Sequence, residues 1–316
     1  MLDVKNLKMY YEILRGQVKA VDDISFGMKK GDSLGLAGES GCGKTSAALS
    51  ILRLLPRNAK IIDGTINFED TDLTKMKTKD YNNDIRWKKI SVIFQGAMNA
   101  LHPTRRIGDQ IAEGVLIHEK ISKKEALDRT GKLLELVGIE ASKANRYPHE
   151  LSGGMKQRTM IAMSLVCNPD LVIADEPTTA LDVIIQAQVL KLIKDLQDKL
   201  NLSMMLISHD LSMIADTCDK IVIMYAGKIA EQGDITAIFK EPLHPYTKKL
   251  IMAFPSIRGK KRELATISGF PPDLLNPPLG CRFHPRCSYA MEICKKKEPP
   301  TTEAHQDHFV ACHLIG

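Results

Sequence analysis

Residues 35–55 read GLAGESGCGKTSAALSILRLL, and the fold of the whole chain follows from what this stretch must do. Gly38 to Thr45 spell G-x-x-x-x-G-K-T. Leu34 and Leu36 precede the loop as a strand would, and Ala47, Ala48, Leu49, Ile51, Leu52 and Leu55 follow it at helical spacing. Strand, glycine loop and helix together form a phosphate cradle. The glycines Gly38, Gly41 and Gly43 let the backbone turn without a Cβ clash. Gly38 and Glu39 open the set of residues expected to contact the nucleotide, and the amides of Ser40, Gly41, Cys42, Gly43, Lys44, Thr45 and Ser46 then face an anion at the positive end of a helix. Lys44 is expected to pair with β- and γ-phosphate oxygens, and the Thr45 hydroxyl to hold Mg²⁺. Cys42 is expected to contribute its amide, its thiol being incidental.

A second stretch, NPDLVIADEPTTALD, gives a short apolar strand, Leu171 to Ala174, that ends on Asp175 and Glu176. A continuous apolar run of this length reads as a buried parallel strand, and ligands bind at the carboxyl ends of such strands. Asp175 is expected to hold Mg²⁺, and Glu176 to orient and deprotonate an attacking water. A third stretch, LSGGM at Leu151 to Met155, places Ser152, Gly153 and Gly154 at a helix start, a second anion-binding end in one chain. Such an end is of use to a nucleotide held by a partner subunit.

With these motifs in this order, together with Gln95 in VIFQG, ALD at Ala180 to Asp182 and His209 in LISHD, residues 1 to about 235 resemble the ATP-binding cassette ATPases. The fifth signature position, more often Gln in that superfamily, is Met155 here, while Gln157 and Arg158 keep the polar continuation. The resemblance implies an α/β fold: a P-loop core, an antiparallel β subdomain and a helical signature subdomain. It implies that Gln95 reaches Mg²⁺ or the lytic water, that His209 contacts the γ-phosphate, and that Asp182 couples two sites across a dimer. Ser152, Gly153 and Gly154 would close on ATP held by the opposite subunit. Tyr11, with Tyr10 as rival, would stack on adenine, and Ala20 would line the base. The resemblance makes the chain an ATPase.

The chain has 316 residues, 44% hydrophobic and 26% charged, with formal charge +6. Two domains are expected: a nucleotide-binding domain at 1–235, its helical subdomain at about 97–160, and a C-terminal irregular extension at 236–316. Leu2, Val4, Leu7, Met9 and Tyr11, then Val18 and Ala20, alternate as antiparallel strands. Ser122-x-x-Glu125 reads as a capping box opening a helix that Gly138 stops. Asp182 to Leu200 reads as an amphipathic helix, SMMLIS as a strand, and KIVIMYAGKIAEQG as a hairpin turning at Gly227. The start shows no secretory pattern, and no apolar run reaches the ~18 residues that span a bilayer. The expected location is the cytoplasmic face of the cell membrane, where stable disulfides are disfavoured.

The extension carries HPYTKKL, GFPPDLLNPPLGCRFHPRC and the later cysteines. With YPHELSGGMKQR and DEPTTALDVIIQAQ in the core, it resembles the ATPase subunits of oligopeptide and dipeptide importers. That resemblance implies a homologous second cassette in a heterodimer, two permease subunits, and indirectly a substrate-binding protein. It leaves short peptides, longer peptides, nickel complexes and related solutes open as cargo. Cys281, Cys287, Cys294 and Cys312 leave three readings open: a 4Fe–4S cluster, zinc, or free thiols. The close C-x2–4-C pairs usual for structural zinc are absent, and the wider spacing favours the cluster. Some relatives in the importer family carry one. Its expected role is to tie together a segment with too few large apolar residues for a core of its own. His284, His305, His308 and His313 read as loop residues rather than substitute ligands. Against transport stands a soluble cassette ATPase acting on nucleic acid or ribosomes. The small charge excess, one cassette and no long coiled-coil insertion argue against it, and no nucleic-acid partner is expected. A GTPase or kinase would show N-K-x-D or lack the signature. An iron–sulfur sensor with an accessory ATPase is a further alternative.

Overall fold

Leu2 and Val4 are buried, and so are Leu7 and Met9, so the inward parity slips by one residue between them. The first strand answers with a bulge: Asn6 has φ 50°, and the pairing register breaks between Val4 and Leu7. A computed structural model describes residues 1–96, 100–253 and 267–315. The chain divides into two units, Met1–Thr74 with Ile207–Gly316, and Lys75–Leu206.

The first unit opens with β1 (Leu2–Ile13) and β2 (Gly16–Met28), then β3 (Ser33–Ala37), α1 (Lys44–Ile51), β4 (Ala59–Phe68) and β5 (Thr71–Asp72). β2, β1, β4 and β5 form an antiparallel sheet in that order, as the alternation at the start implies. β3 is buried throughout and delivers the chain to the glycine loop.

The second unit holds β6 (Ile90–Ile93), α2 (Ile107–His118), α3 (Lys123–Leu136), α4 (Gly153–Leu165), β7 (Leu171–Asp175) and α5 (Val183–Leu200). The next strand, β8 (Ser203–Ser208), is buried throughout, and the division between the units falls within it, after Leu206. β6 and β7 pair in parallel, Ile90 against Leu171 and Ile93 against Ala174. The helical region expected at about 97–160 is α2, α3 and the start of α4, residues 97–99 lying outside the described ones. Ser122 and Glu125 cap α3 reciprocally, and Gly138 stops it at φ 77°. α5 buries Val189, Ile193, Leu196 and Gln197 along one face, with Asp182 as its cap.

The chain then adds α6 (Leu211–Thr217), β9 (Lys220–Tyr225), β10 (Lys228–Asp234), α7 (Ile235–Lys240) and α8 (Pro245–Met252) to the first unit. β9 runs parallel to β3 and turns into β10 through Ala226 and Gly227, both at positive φ, as a two-residue hairpin requires. The expected irregular stretch at 259–280 lies outside the described residues up to 266, and 267–280 has no regular element.

The end of the chain is more ordered than the expected irregular extension. After α9 (Glu292–Lys296) come β11 (Thr301–His305) and β12 (His308–Ala311), an antiparallel hairpin that pairs with β10. Two strands of four or five residues, with polar side chains on the outer face, leave little periodic signal. His308 is accordingly a buried strand residue, not a loop histidine; its Nε2 lies 2.8 Å from Glu231 Oε1. Phe283 packs edge-on to Tyr225 at 5.1 Å and tilted against Tyr246 at 5.4 Å. Phe283 thus joins α8 of the extension to β9 of the cassette in one aromatic core. Arg282 is buried and bonds the Ala226 carbonyl and Asp22 Oδ2. Burial works against the Asp22 carboxylate, yet the Tyr10 hydroxyl, Lys228 and Arg282 hold it below the usual carboxylate range.

Candidate functional site

The glycine loop lies in the first unit. Gly38 has φ 145° and Gly43 φ 107°. A Cβ on Gly38 would stand 2.2 Å from the Met224 carbonyl oxygen, and one on Gly43 would stand 2.1 Å from that of Ala20. Both glycines are therefore demanded by close backbone approach as well as by φ. Gly41 has φ 78° with open space around it, as the outer turn of a cradle should. α1 starts at Lys44 with Gly43 as its left-handed cap, so its first amides are not capped by a side chain. These are the amides of the expected phosphate contacts at Lys44, Thr45 and Ser46. Ser40 and Thr45 are exposed.

Lys44 is buried, and its Nζ donates to the carbonyls of Gly38 at 2.8 Å and Glu39 at 3.1 Å. Its ammonium thus sits on the loop's own backbone, ready to exchange carbonyl oxygens for phosphate oxygens. Cys42 is buried with its Sγ 3.7 Å from Lys44 Nζ, and burial pushes its thiol up. The thiol packs under the loop, and the Cys42 carbonyl accepts from Gly227 N.

Tyr10 and Tyr11, rivals for the base, are separated by their partners. Tyr10 donates to Asp22 Oδ1 at 2.6 Å, whereas the Tyr11 hydroxyl lies 3.1 Å from Ser46 Oγ in the first turn of α1. Ala20 is buried, its carbonyl against Gly43. Tyr11 and Ala20 therefore belong to the loop's neighbourhood. His209, also of this unit, is exposed directly after β8.

The second unit holds the acidic pair. β7 ends at Asp175, which is buried, and Glu176 follows at φ 44°. Gln95 stands two residues beyond β6, and its Nε2 donates to Glu176 Oε2 at 2.8 Å. Thr179 Oγ1 donates to the same oxygen at 3.1 Å. Parallel pairing of β6 with β7 puts both strand ends on one edge, so this meeting follows from the topology. Thr179 was not singled out from sequence. The signal was present, in a hydroxyl three residues after the carboxylate.

Ser152 caps α4, its Oγ accepting from Met155 N at 3.4 Å, with Gly153 and Gly154 in the first turn. A Cβ on Gly154 would come within 2.9 Å of Ile185 Cγ2, so close packing demands the second glycine. Asp182 caps α5 through Ile185 N at 3.0 Å. Val183 and Ile184 beside it are exposed.

The four C-terminal cysteines gather without converging. The thiols of Cys281, Cys287, Cys294 and Cys312 stand within electrostatic range of one another. The amides of Phe283, Tyr289 and Leu314 reach the sulfurs of Cys281, Cys287 and Cys312. Such N–H···S bonds suit thiolate ligands. Yet among the described residues no three His, Cys, Asp or Glu side chains are arranged to hold a metal ion, so the expected ready-made centre is not met. Burial pushes the Cys281 thiol up to about 11 and those of Cys287 and Cys312 upward as well, and a neutral thiol packs as a small apolar group. His284 Nδ1 lies on the Cys281 carbonyl and His313 Nε2 on the Lys297 carbonyl, so neither nitrogen points at the thiols.

The model of the ABC transporter family matches residues 21–179, and that of the oligopeptide/dipeptide transporter C-terminal region matches residues 230–294. The chain is 46% identical to the dipeptide transport ATP-binding protein DppD of Bacillus subtilis, over 99% of this chain and 94% of that one. It is 42% identical to the oligopeptide transport ATP-binding protein OppD of Escherichia coli, over 99% and 92%. Among solved structures, the dimeric ABC transporter cassette MJ0796 superposes with TM-score 0.66 at 25% identity, covering 74% of this chain and 99% of that one. CbiO1 of Clostridium perfringens does so with TM-score 0.66 at 27%, covering 76% and 90%.

Proposed function

This chain belongs to the ABC transporter family and is an ATP-binding ATPase, and on that premise we propose that it drives an importer of dipeptides or oligopeptides. One observation carries the reading: the likeness to peptide-transport proteins runs through the C-terminal region 230–294 as well as the cassette. The test is isolation of the chain from native membranes together with uptake of labelled di- and tripeptides by cells lacking it. Permease subunits in the complex and lost peptide uptake support the reading. A chain free of permeases, with peptide uptake intact, overturns it. The soluble ATPase of nucleic acid or ribosomes gains no support.

The residues divide the reaction among them. The loop amides from Ser40 to Ser46 and Lys44 hold the triphosphate, while Tyr11 stacks on adenine over Ala20. Thr45, Asp175 and Gln95 would hold Mg²⁺, which when bound neutralises phosphate oxygens; the glycine cradle and the buried Asp175 fit that role. Glu176 takes the proton of the attacking water as the water oxygen bonds to the γ-phosphorus. The β–γ bridge then breaks to leave ADP and phosphate. Gln95 and Thr179 aim the Glu176 carboxylate. His209 contacts the γ-phosphate. Ser152, Gly153 and Gly154 serve the ATP of the opposite cassette, and Asp182 couples the two sites.

Exposed apolar surface supports the partners that the family likeness implies. Val183 and Ile184, apolar and exposed beside Asp182, fit burial against a second, homologous cassette in a heterodimer. Exposed Leu116 and Ile117 on α2 fit a permease segment; two permease subunits and a substrate-binding protein complete the importer. No helix among the described residues is long and apolar enough to cross a membrane. In the proposed importer the chain serves as a peripheral subunit at the cytoplasmic face of the cell membrane.

The four cysteines are proposed to hold a 4Fe–4S cluster, with zinc as the alternative. The donor set and its N–H···S bonds support this, whereas the present arrangement of the side chains does not. When bound, the group supplies thiolate–metal bonds that brace the extension and takes no part in ATP chemistry.

A further inference from the structure

Glu39 is the only charged residue between Gly38 and Lys44, and a carboxylate is an unfavourable neighbour for a triphosphate. Three contacts fix it. Arg286 grips its carboxylate with both terminal nitrogens, Nη1 to Oε2 at 2.7 Å and Nη2 to Oε1 at 3.0 Å. The hydroxyl of Tyr246, fully buried in α8, accepts from its amide at 2.9 Å. Its carbonyl accepts from Lys44 Nζ at 3.1 Å. Two of these three holders come from beyond the cassette.

Arg286 is built for the task. Its side chain is only 5% exposed. Every N–H of its guanidinium has an acceptor: Nε on Ser268 O, Nη1 on Glu39 and the Tyr225 hydroxyl, Nη2 on Glu39 and Ile267 O. A planar fork on a carboxylate fixes orientation as well as distance, which a lysine cannot do.

We propose that Arg286 is a positioning residue of the phosphate loop: through Glu39 it holds the first turn of the loop in place and cancels the one negative charge there, so that ATP meets a preformed, uncontested cradle. The proposal rests on the reading of Gly38–Ser46 as that cradle. It makes the C-terminal segment a contributor to nucleotide affinity. Since Arg286 immediately precedes Cys287, whatever displaces the cysteine segment is felt at Lys44 through two side chains.

The test uses the full chain, with Mg-ATP binding by calorimetry, steady-state ATPase rates and thermal melting. Arg286→Ala is expected to weaken ATP binding and raise KM about tenfold, the size of one charge-assisted hydrogen bond, with kcat changed far less. Arg286→Lys keeps the charge without the fork and is expected to fall between, about threefold weaker. In Arg286→Ala/Glu39→Gln the uncancelled carboxylate is gone while the hold on the loop is not restored, and affinity is expected to return part of the way. A merely structural role for Arg286 among Ser268, Ile267 and Tyr225 would not be relieved by changing Glu39. Wild-type ATP affinity in Arg286→Ala overturns the proposal, as does a double variant no tighter than the single one. If Arg286→Ala does not fold, wild-type affinity in Arg286→Lys overturns it. Lys44→Ala separates the two readings: if it binds ATP normally, the cradle assignment fails; if it loses ATP while Arg286→Ala does not, only the positioning role fails.

Discussion

Gln95 Nε2 donates to Glu176 Oε2 across 2.8 Å, so the ends of two parallel strands share one carboxylate oxygen. Glu176→Gln is expected to retain ATP binding while turnover falls by about 10²–10⁴, the range lost with a general base. Phosphate release measured beside nucleotide binding checks this. Gln95→Ala leaves the base in place but less well aimed, and about a tenfold loss is expected.

Gly43 and Gly41 both have positive φ, yet only Gly43 is crowded, its Cβ position 2.1 Å from the Ala20 oxygen. Gly43→Ala is expected to abolish ATP binding and lower the melting temperature, since loop and β2 must part. Gly41→Ala meets open space and costs only the backbone preference, about 1–2 kcal/mol. Melting curves of the two variants, with and without ATP, measure the difference.

His244 is buried, and burial lowers its pKa from 6.5 to about 4. Its Nδ1 accepts from Tyr246 N at 2.9 Å, and its own amide bonds Glu231 Oε2. Between pH 6.5 and 4 the unfolded chain takes up a proton that the folded chain refuses. Stability therefore falls as pH drops through this window, by about 3 kcal/mol in all, and is fully present above it. In His244→Asn, which keeps a capping side chain, this component of the pH dependence is expected to vanish. Urea unfolding of both proteins from pH 4 to 7 tests it.

Glu231 is fully buried and accepts from Leu243 N and His244 N, with His308 Nε2 at 2.8 Å. Glu231→Ala strips three groups of their partner, and a loss of about 3–5 kcal/mol is expected in chemical denaturation. Because His308 belongs to β12, protease sensitivity should appear first at the C-terminal hairpin.

The cysteine site is tested by anaerobic purification with iron, zinc and sulfide determinations. About four irons and four sulfides per chain, lost in Cys281→Ser, are expected for a cubane. An iron-free, zinc-free protein that melts like the native one would refute the cluster.

The loop at Gly38, the strand ending at Asp175 and the cap at Ser152 were legible because each is local: its chemistry needs particular residues a few positions apart. The partition of Tyr10 from Tyr11 was half legible, since the pairing register of β1 slips again between Met9 and Tyr11 and alternation alone does not say which way each side chain faces. Arg286 and Glu39 stand 247 positions apart, and nothing in either neighbourhood announces the pair. Tyr246, His308 and Glu231 were hidden for the same reason. The β11–β12 hairpin was missed because its strands are too short to show a period, and because half of each faces water.

β12 covers one side of β10, leaving β11 as the last strand of its sheet. An uncovered strand is a template on which another chain can polymerise. β11 is a poor template: five residues, Thr301 to His305, with exposed and half-buried side chains alternating and Glu303 among the exposed. Removing the hairpin would bare β10, which carries Ile229 and Ala230. A cassette truncated near residue 235 is thus a candidate for inclusion bodies, and the tail doubles as a safeguard of solubility during synthesis.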